Sequence, residues 1–262
     1  MNISLKTVGE KLKKNNNVDC VFLTGSHGTG KQKPYSDLDL IIVFKKNTKS
    51  IKSVYTFIDG AFADIFFFDL ADVKRIKKAK ALDPNTFDSM FLDWLRKAKI
   101  LFDKSGEVSR LMAKSRRPKA KMSFSEQFNF WQQISYNYLA NKRYFKSNDP
   151  LYHEALEIRL PYSVIQLVTG YFALRGIPWR GEKEAVLWLK KNDSDFYLLF
   201  RKYVVTPNLA KRFKLYVQMV RKALPKKYKL WDKNLVIALP KGRIKEEKII
   251  KNLTKYWRGL LK

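Results

Sequence analysis

Gly25–Phe44, GSHGTGKQKPYSDLDLIIVF, decides the fold, and Gly60–Leu70, GAFADIFFFDL, is its counterpart further along the chain. Val18–Thr24, just before, is apolar and β-branched, the composition of a buried strand that stops at Gly25-Ser26. A basic, glycine-bearing loop follows, and a second strand is predicted over Ser36–Phe44. Side chains alternate along a strand, so Asp37 and Asp39 point to one face, with Leu38, Leu40 and Ile42 on the other. Asp64 stands on the next apolar strand and shares its face with Phe62, Phe66 and Phe68. If the two strands pair, three carboxylates converge on one patch.

Three adjoining carboxylates repel and partly protonate unless a cation sits among them. Hard divalent ions with oxygen ligands answer that need, and Mg²⁺ requires few protein carboxylates when phosphate oxygens complete its shell. Two such ions roughly 4 Å apart can clamp the attacking and leaving oxygens of an in-line phosphoryl displacement. Gly25-Ser26 offers close backbone approach, a hydroxyl and a strand-end turn for phosphates.

Competing explanations exist for each residue. Gly25–Lys31 fits the first seven positions of a P-loop, but Gln32 stands where a metal-binding hydroxyl belongs. Pro34 and a strand then follow where a P-loop needs a long helix. A lone Asp-x-Asp is often a solvated strand edge, whereas a carboxylate at Asp64, among Ala63, Ile65 and phenylalanines, needs a partner. Asp69 reads as a strand-end or helix-cap residue. His27 reads as a loop residue near a triphosphate, and Lys31 and Lys33 as solvated lysines within reach of phosphates.

The stretch resembles the polymerase-β-like nucleotidyltransferase superfamily. The signature is a Gly-Ser pair, a loop of about ten residues, Asp-x-Asp on a strand and a third acid on a later strand. Gly25 and Ser26 match the pair, Asp37 and Asp39 the Asp-x-Asp, and Asp64 the third acid; Gly30, Pro34 and Ser36 match residues common in the loop. His27, Gly28 and Thr29 depart from it, since Arg and Ala often follow the pair. The match covers residues 18–70. The resemblance implies an α+β catalytic domain, a mixed sheet flanked by helices. It implies catalytic and metal roles for Asp37, Asp39 and Asp64, and nucleotide contacts from Gly25, Ser26, Lys31 and Ser36. Two Mg²⁺ ions are implied as cofactors, with Mn²⁺ as a substitute, and an NTP, ATP first, as substrate.

Charge is the second signal. The chain carries 53 Lys and Arg against 24 Asp and Glu, a net of +29. Residues 1–104 hold 19 basic and 12 acidic residues, a net of +7, and residues 105–262 hold 34 and 12, a net of +22. Thermophilic surfaces raise Lys and Glu together and do not produce this imbalance. A field of this sign favours polyanions, nucleic acid first. The single cysteine, Cys20, excludes an intramolecular disulfide and points to a reducing compartment. With no signal peptide and no apolar run of membrane-spanning length, a soluble, cytoplasmic protein is expected.

The remaining elements follow from periodicity. Ile3–Lys14 reads as an amphipathic helix stopped by Asn15–Asn17, and Val54–Ile58 with Ala61–Phe68 as a hairpin through Asp59-Gly60. Ala71–Lys80 and Thr86–Arg96 read as helices and Ala98–Phe102 as a strand, closing a catalytic domain at residues 1–104. Residues 105–122 look like a linker. Ser123 with Glu126 is a capping box opening a helix to Lys146. Asp149-Pro150 starts another to Arg175, which Pro161 is expected to kink or split. Lys183–Lys191, Asp195–Tyr203 and Asn208–Leu224 complete a five-helix bundle at residues 123–224, followed by a basic segment, 225–262, with a helix over Ile244–Leu261. A nucleotidyltransferase domain followed by a bundle resembles the antibiotic nucleotidyltransferases.

Together these features predict NMP transfer from an NTP to an acceptor hydroxyl, with release of pyrophosphate. The positive second half favours RNA or another polyanion as acceptor and argues against polycationic aminoglycosides. A small-molecule or protein acceptor, and a nucleotide- or RNA-binding protein without turnover, are the alternatives; a homodimer is compatible with each. Glu154 or Glu157 is a candidate bundle base, although solvated helix-face charges explain both, and Asp64 can itself take the acceptor proton. The aromatics Phe124, Phe128, Phe130, Trp131, Tyr136 and Tyr138 suit base stacking in type, but their helical spacing assigns most of them to a core.

Overall fold

The computed structural model describes residues 4–34, 36–49, 51–113, 119–120 and 122–231. The chain divides into two units, residues 1–120 and 121–262. The helix expected over Ile244–Leu261 lies outside the described residues.

The first unit is built on a five-stranded mixed sheet of order β3-β4-β2-β1-β6. β1 (Val18–Leu23) is antiparallel to both β2 (Leu38–Phe44) and β6 (Lys99–Asp103). β4 (Ala61–Asp69) runs parallel to β2 and antiparallel to the edge strand β3 (Ser53–Ile58). All six residues of β1 are buried, because side chains on both faces meet a core. On one face Cys20, Phe22, Ile41, Val43 and Phe68 pack against helices α3 (Leu70–Lys78), α4 (Phe87–Arg96) and α5 (Glu107–Met112). On the other, Val21, Leu40, Ile42 and Ile65 pack beneath Leu5, Val8 and Leu12 of α1 (Leu5–Lys14).

Local chemistry explains the boundaries. Ser4 caps α1 by accepting from the Thr7 amide, and Asn15 ends it. Asp59 (φ 51°) and Gly60 (φ 75°) both adopt left-handed backbone, as a two-residue hairpin requires. Asp69 caps α3 in a reciprocal box with Asp72, the cap role expected of it. A single turn, α2 (Gly25–Gly28), follows β1, and the short strands β5 (Ala81–Leu82) and β7 (Lys119–Ala120) pair in parallel.

Two local expectations change. The strand predicted from Ser36 begins at Leu38, because the Ser36 amide donates to the Lys33 carbonyl (3.0 Å) and its Oγ accepts from the Lys33 amide (2.9 Å). Ser36 therefore closes the loop and Asp37 precedes the ladder. Residues 107–112, expected within a linker, form α5, whose Val108 and Leu111 are buried in the sheet core.

The second unit contains five described helices. They are α6 (Phe124–Phe145), α7 (Pro150–Leu174), α8 (Glu182–Asn192), α9 (Ser194–Val205) and α10 (Leu209–Ala223). The capping box of Ser123 and Glu126 opens α6. Pro161 does not split α7, which continues from Pro150 to Leu174. Its ring removes the amide that would bond the Glu157 carbonyl, and both residues are exposed, where water satisfies that carbonyl. Arg175 terminates α10 by donating to the carbonyls of Ala223 (2.6 Å) and Lys222 (3.1 Å). No described helix is long and apolar enough to cross a membrane.

Candidate active site

The site is assembled where β1 ends, beside the first residues of β2 and β4 and the loop after β1. Thr24 leaves β1 with its amide donating to the Asp39 carbonyl (3.1 Å) and its hydroxyl donating to the Trp94 carbonyl (3.0 Å). This anchors the turn to β2 and α4 together. Gly25 has φ 60°, and a Cβ there would collide with Oδ2 of Asp39. Gly28 sits against the Lys97 and Leu23 carbonyls, again without room for a Cβ. The glycines bring the Gly25-Ser26 backbone directly against the carboxylate on β2.

The carboxylates are placed by register. Asp39 and Asp64 are partners on the parallel strands β2 and β4, one strand spacing of about 4.8 Å apart. Tyr55 on β3 is opposite Asp64 in turn, so Tyr55, Asp64 and Asp39 form a row across three strands on one face. Asp37 is exposed, two residues before Asp39, while Asp39 and Asp64 are half-buried. The pKa of Asp64 is raised, first by burial and then by the charge of Asp37. Asp37 and Asp64 thus feel one another.

Among the described residues, no three His, Cys, Asp or Glu side chains form a cluster able to hold a metal ion. Asp39 and Asp64 form a register-paired couple, with the exposed Asp37 at its edge and its charge acting on Asp64. Within the site, two buried oxygens lack hydrogen-bond partners among the described residues: Ser26 Oγ and Asp64 Oδ1. An unsatisfied buried oxygen is costly, and both lie on residues expected to meet a nucleotide or a cation. An all-oxygen set of this kind fits Mg²⁺, which takes few protein ligands and fills its shell with phosphate and water.

The loop beyond is held by its own backbone. The Lys31 amide donates to the Ser26 carbonyl (2.9 Å), and Thr29 Oγ1 donates to the carbonyls of Gly25 (3.1 Å) and Ser26 (3.2 Å). The Lys31 side chain is exposed. The single turn of α2 does not become the long helix of a P-loop. Thr24 and Gly28 carried no prediction from sequence, because their roles depend on Trp94, Lys97 and Asp39, distant along the chain. In the second unit, Glu154 and Glu157 are exposed, and Glu157 is 3.5 Å from Arg212.

Comparison with known proteins places the first unit. A family model described as polymerase beta, nucleotidyltransferase, matches residues 6–105. Among solved structures, a nucleotidyltransferase-like protein from Exiguobacterium sibiricum 255-15 is similar at 12% identity, with a TM-score of 0.39 over 84% of this chain and 73% of that one. No curated protein matches the sequence. Residues 6–105, with their Gly-Ser turn and strand-borne aspartates, are a nucleotidyltransferase domain of the polymerase beta type.

Proposed function

We propose that the protein is a metal-dependent nucleotidyltransferase that transfers NMP from an NTP to a hydroxyl of an RNA acceptor. The observation that carries this reading is the parallel register of Asp39 with Asp64, beside a turn whose glycine has no room for a side chain against Asp39. The family match over residues 6–105 supports NMP transfer as the general chemistry.

Each residue then has a task. Ser26 Oγ, buried and without a partner among described residues, donates to the triphosphate, and the Gly25–Lys31 backbone lies along it. Asp37 and Asp39, with Asp64, would hold Mg²⁺; the ion supplies charge neutralisation for the nucleotide's phosphates and the leaving pyrophosphate. Asp64 takes the proton of the attacking hydroxyl. The oxygen freed of that proton forms a bond to the α-phosphorus, and the bond to pyrophosphate breaks. Alignment and electrostatics supply most of the rate, as phosphoryl transfer generally requires. The net charge of +29 supports a polyanionic acceptor.

The direct test measures pyrophosphate release with each of the four NTPs, with and without single-stranded RNA, for the native chain and Asp39→Asn. RNA-stimulated release that falls at least about a hundredfold in Asp39→Asn, without loss of fold, is expected. Full activity in that variant overturns the assignment.

A further inference from the structure

The sheet face that carries the carboxylates is covered by α4 only in part. Phe66 of β4 stacks on Trp94 (centroids 4.6 Å) and Phe68 packs against Phe91 (4.6 Å). Two residues earlier on the same face stands Asp64, and two before that Phe62, 47% exposed. Beside them on the edge strand β3, Tyr55 and Phe57 are 61% and 60% exposed. Tyr55 is opposite Asp64 and Phe57 opposite Phe62. The rings of Tyr55 and Phe62 are near-parallel (7°, 6.3 Å), and Phe57 meets Phe62 edge-on (75°, 5.7 Å). Three contiguous exposed rings on one strand pair are not scattered surface residues. Left open on an unpaired edge they invite aggregation, so a ligand that covers them is the economical explanation.

We propose that Tyr55, Phe57 and Phe62 form a stacking platform for the terminal base of a single-stranded RNA acceptor, a specificity element of the proposed transfer reaction on which this inference rests. Flat aromatic surfaces accept any base through its π-face, without reading its edge. The platform lies one strand spacing from Asp64, so a nucleotide with its base on Tyr55 has its terminal hydroxyl within reach of that carboxylate. Charge favours the same occupant: Lys52 and Lys49 are exposed just before β3, and the whole chain is strongly basic. An aliphatic protein partner would call for neither the rings nor the lysines.

The test uses the full chain and a fluorescent single-stranded RNA with a free 3′-hydroxyl, followed by anisotropy at fixed salt. The double variant Tyr55→Ala/Phe57→Ala is expected to bind RNA about ten- to a hundredfold more weakly, with unchanged NTP affinity and an unchanged melting temperature. Tyr55→Phe, which keeps the ring, should bind within about threefold of the native chain. A 3′-terminal 4-thiouridine should crosslink to the 53–62 hairpin in the native chain, whether or not the alanine variants fold well. Native-like RNA binding by a folded double variant overturns the platform, as does crosslinking confined to other segments or a loss of NTP affinity alone. If no NTP is turned over but ring-dependent RNA binding persists, the platform stands and the transferase assignment fails. If turnover on RNA is insensitive to the rings, the transferase assignment stands and the platform fails.

Discussion

Gly25 lies so close to Asp39 that a Cβ at position 25 would clash with the Asp39 Oδ2 atom. The glycine is also left-handed, with φ 60°. Gly25→Ala therefore combines two penalties: a backbone cost of about 1–2 kcal/mol and displacement of the carboxylate. A shift of about 1 Å in a positioned group can lower turnover about a hundredfold. Gly176 separates the two effects, since it has φ 68° and no atom within 4 Å of the place a methyl group would take, and it lies outside the Gly25–Lys31 loop. Gly176→Ala should lose similar stability and little activity. Thermal melts with NMP-transfer assays on both variants check this; equal activity loss in the two would show that the Asp39 contact does not matter.

Asp64 gives a pH signature whose sign follows from its environment. Burial and the charge of Asp37 raise its folded pKa. A carboxyl with a raised folded pKa contributes stability that is full below its unfolded pKa and is lost as pH rises through the folded one. At neutral pH the ionised Asp64 thus works against folding, and Asp64→Asn should melt at the same or a higher temperature than the native chain. The difference should shrink as pH falls through the range between the ordinary aspartate value and the raised one. Activity moves the opposite way: proton acceptance and cation binding both need ionised carboxylates, so turnover in the native chain should fall as pH is lowered into the range where they protonate. Melts from pH 3 to 8 beside pH–rate profiles test both; a variant destabilised at neutral pH contradicts the electrostatic account.

What could be read in advance follows a physical divide. Near-continuous apolar runs mark β1 and β2 because both faces of those strands meet a core, and a cap such as Ser123 uses local side-chain chemistry. The pairing of Asp39 with Asp64 was a conditional expectation, since register depends on how β4 inserts between β2 and β3. The helix α5 escaped notice because six residues are too few to form a helix alone. It is stabilised by burying Val108 and Leu111 and by Glu107, which meets Lys77 at 3.2 Å. Pro161 leaves α7 unsplit for a complementary reason: a proline's damage depends on whether the carbonyl it orphans can reach water. The exposed rings of β3 carried no signal, because an alternating aromatic strand looks alike whether or not a helix covers it.

The second unit depends on a buried polar network that can be tested independently of any chemistry. Asn141 is fully buried; its amide donates to Ser163 Oγ (3.0 Å), and its Oδ1 accepts from Arg159 Nε (2.9 Å). Arg159 also donates to Asn137 Oδ1 (3.2 Å). Asn141→Ala removes partners from a hydroxyl and a guanidinium at once and should lower stability by about 1–3 kcal/mol. Asn141→Asp keeps an acceptor for Arg159 and should lose less. Urea titration of both variants measures the difference; a neutral Asn141→Ala would show that water replaces the lost bonds.

Salt dependence separates a phosphate-binding surface from an incidental excess of lysine. The charge of +29 favours polyanions only if several lysines and arginines meet phosphates together, because single exposed charges are screened within about 10 Å at 0.1 M salt. Each phosphate neutralised on a single strand contributes about −0.7 to the slope of log affinity against log salt. Six such contacts give a slope near −4, a loss of about two to three orders of magnitude between 50 and 200 mM. Stacking on Tyr55 and Phe57 releases no counterions, so alanine variants there should lower the affinity and leave the slope unchanged. Charge-neutral substitutions at phosphate-contacting lysines should reduce the slope by roughly 0.7 each. A slope near zero for the native chain would leave the basic surface without a role in RNA binding, and a slope that changes in the ring variants would mean that those rings act by positioning lysines rather than by stacking.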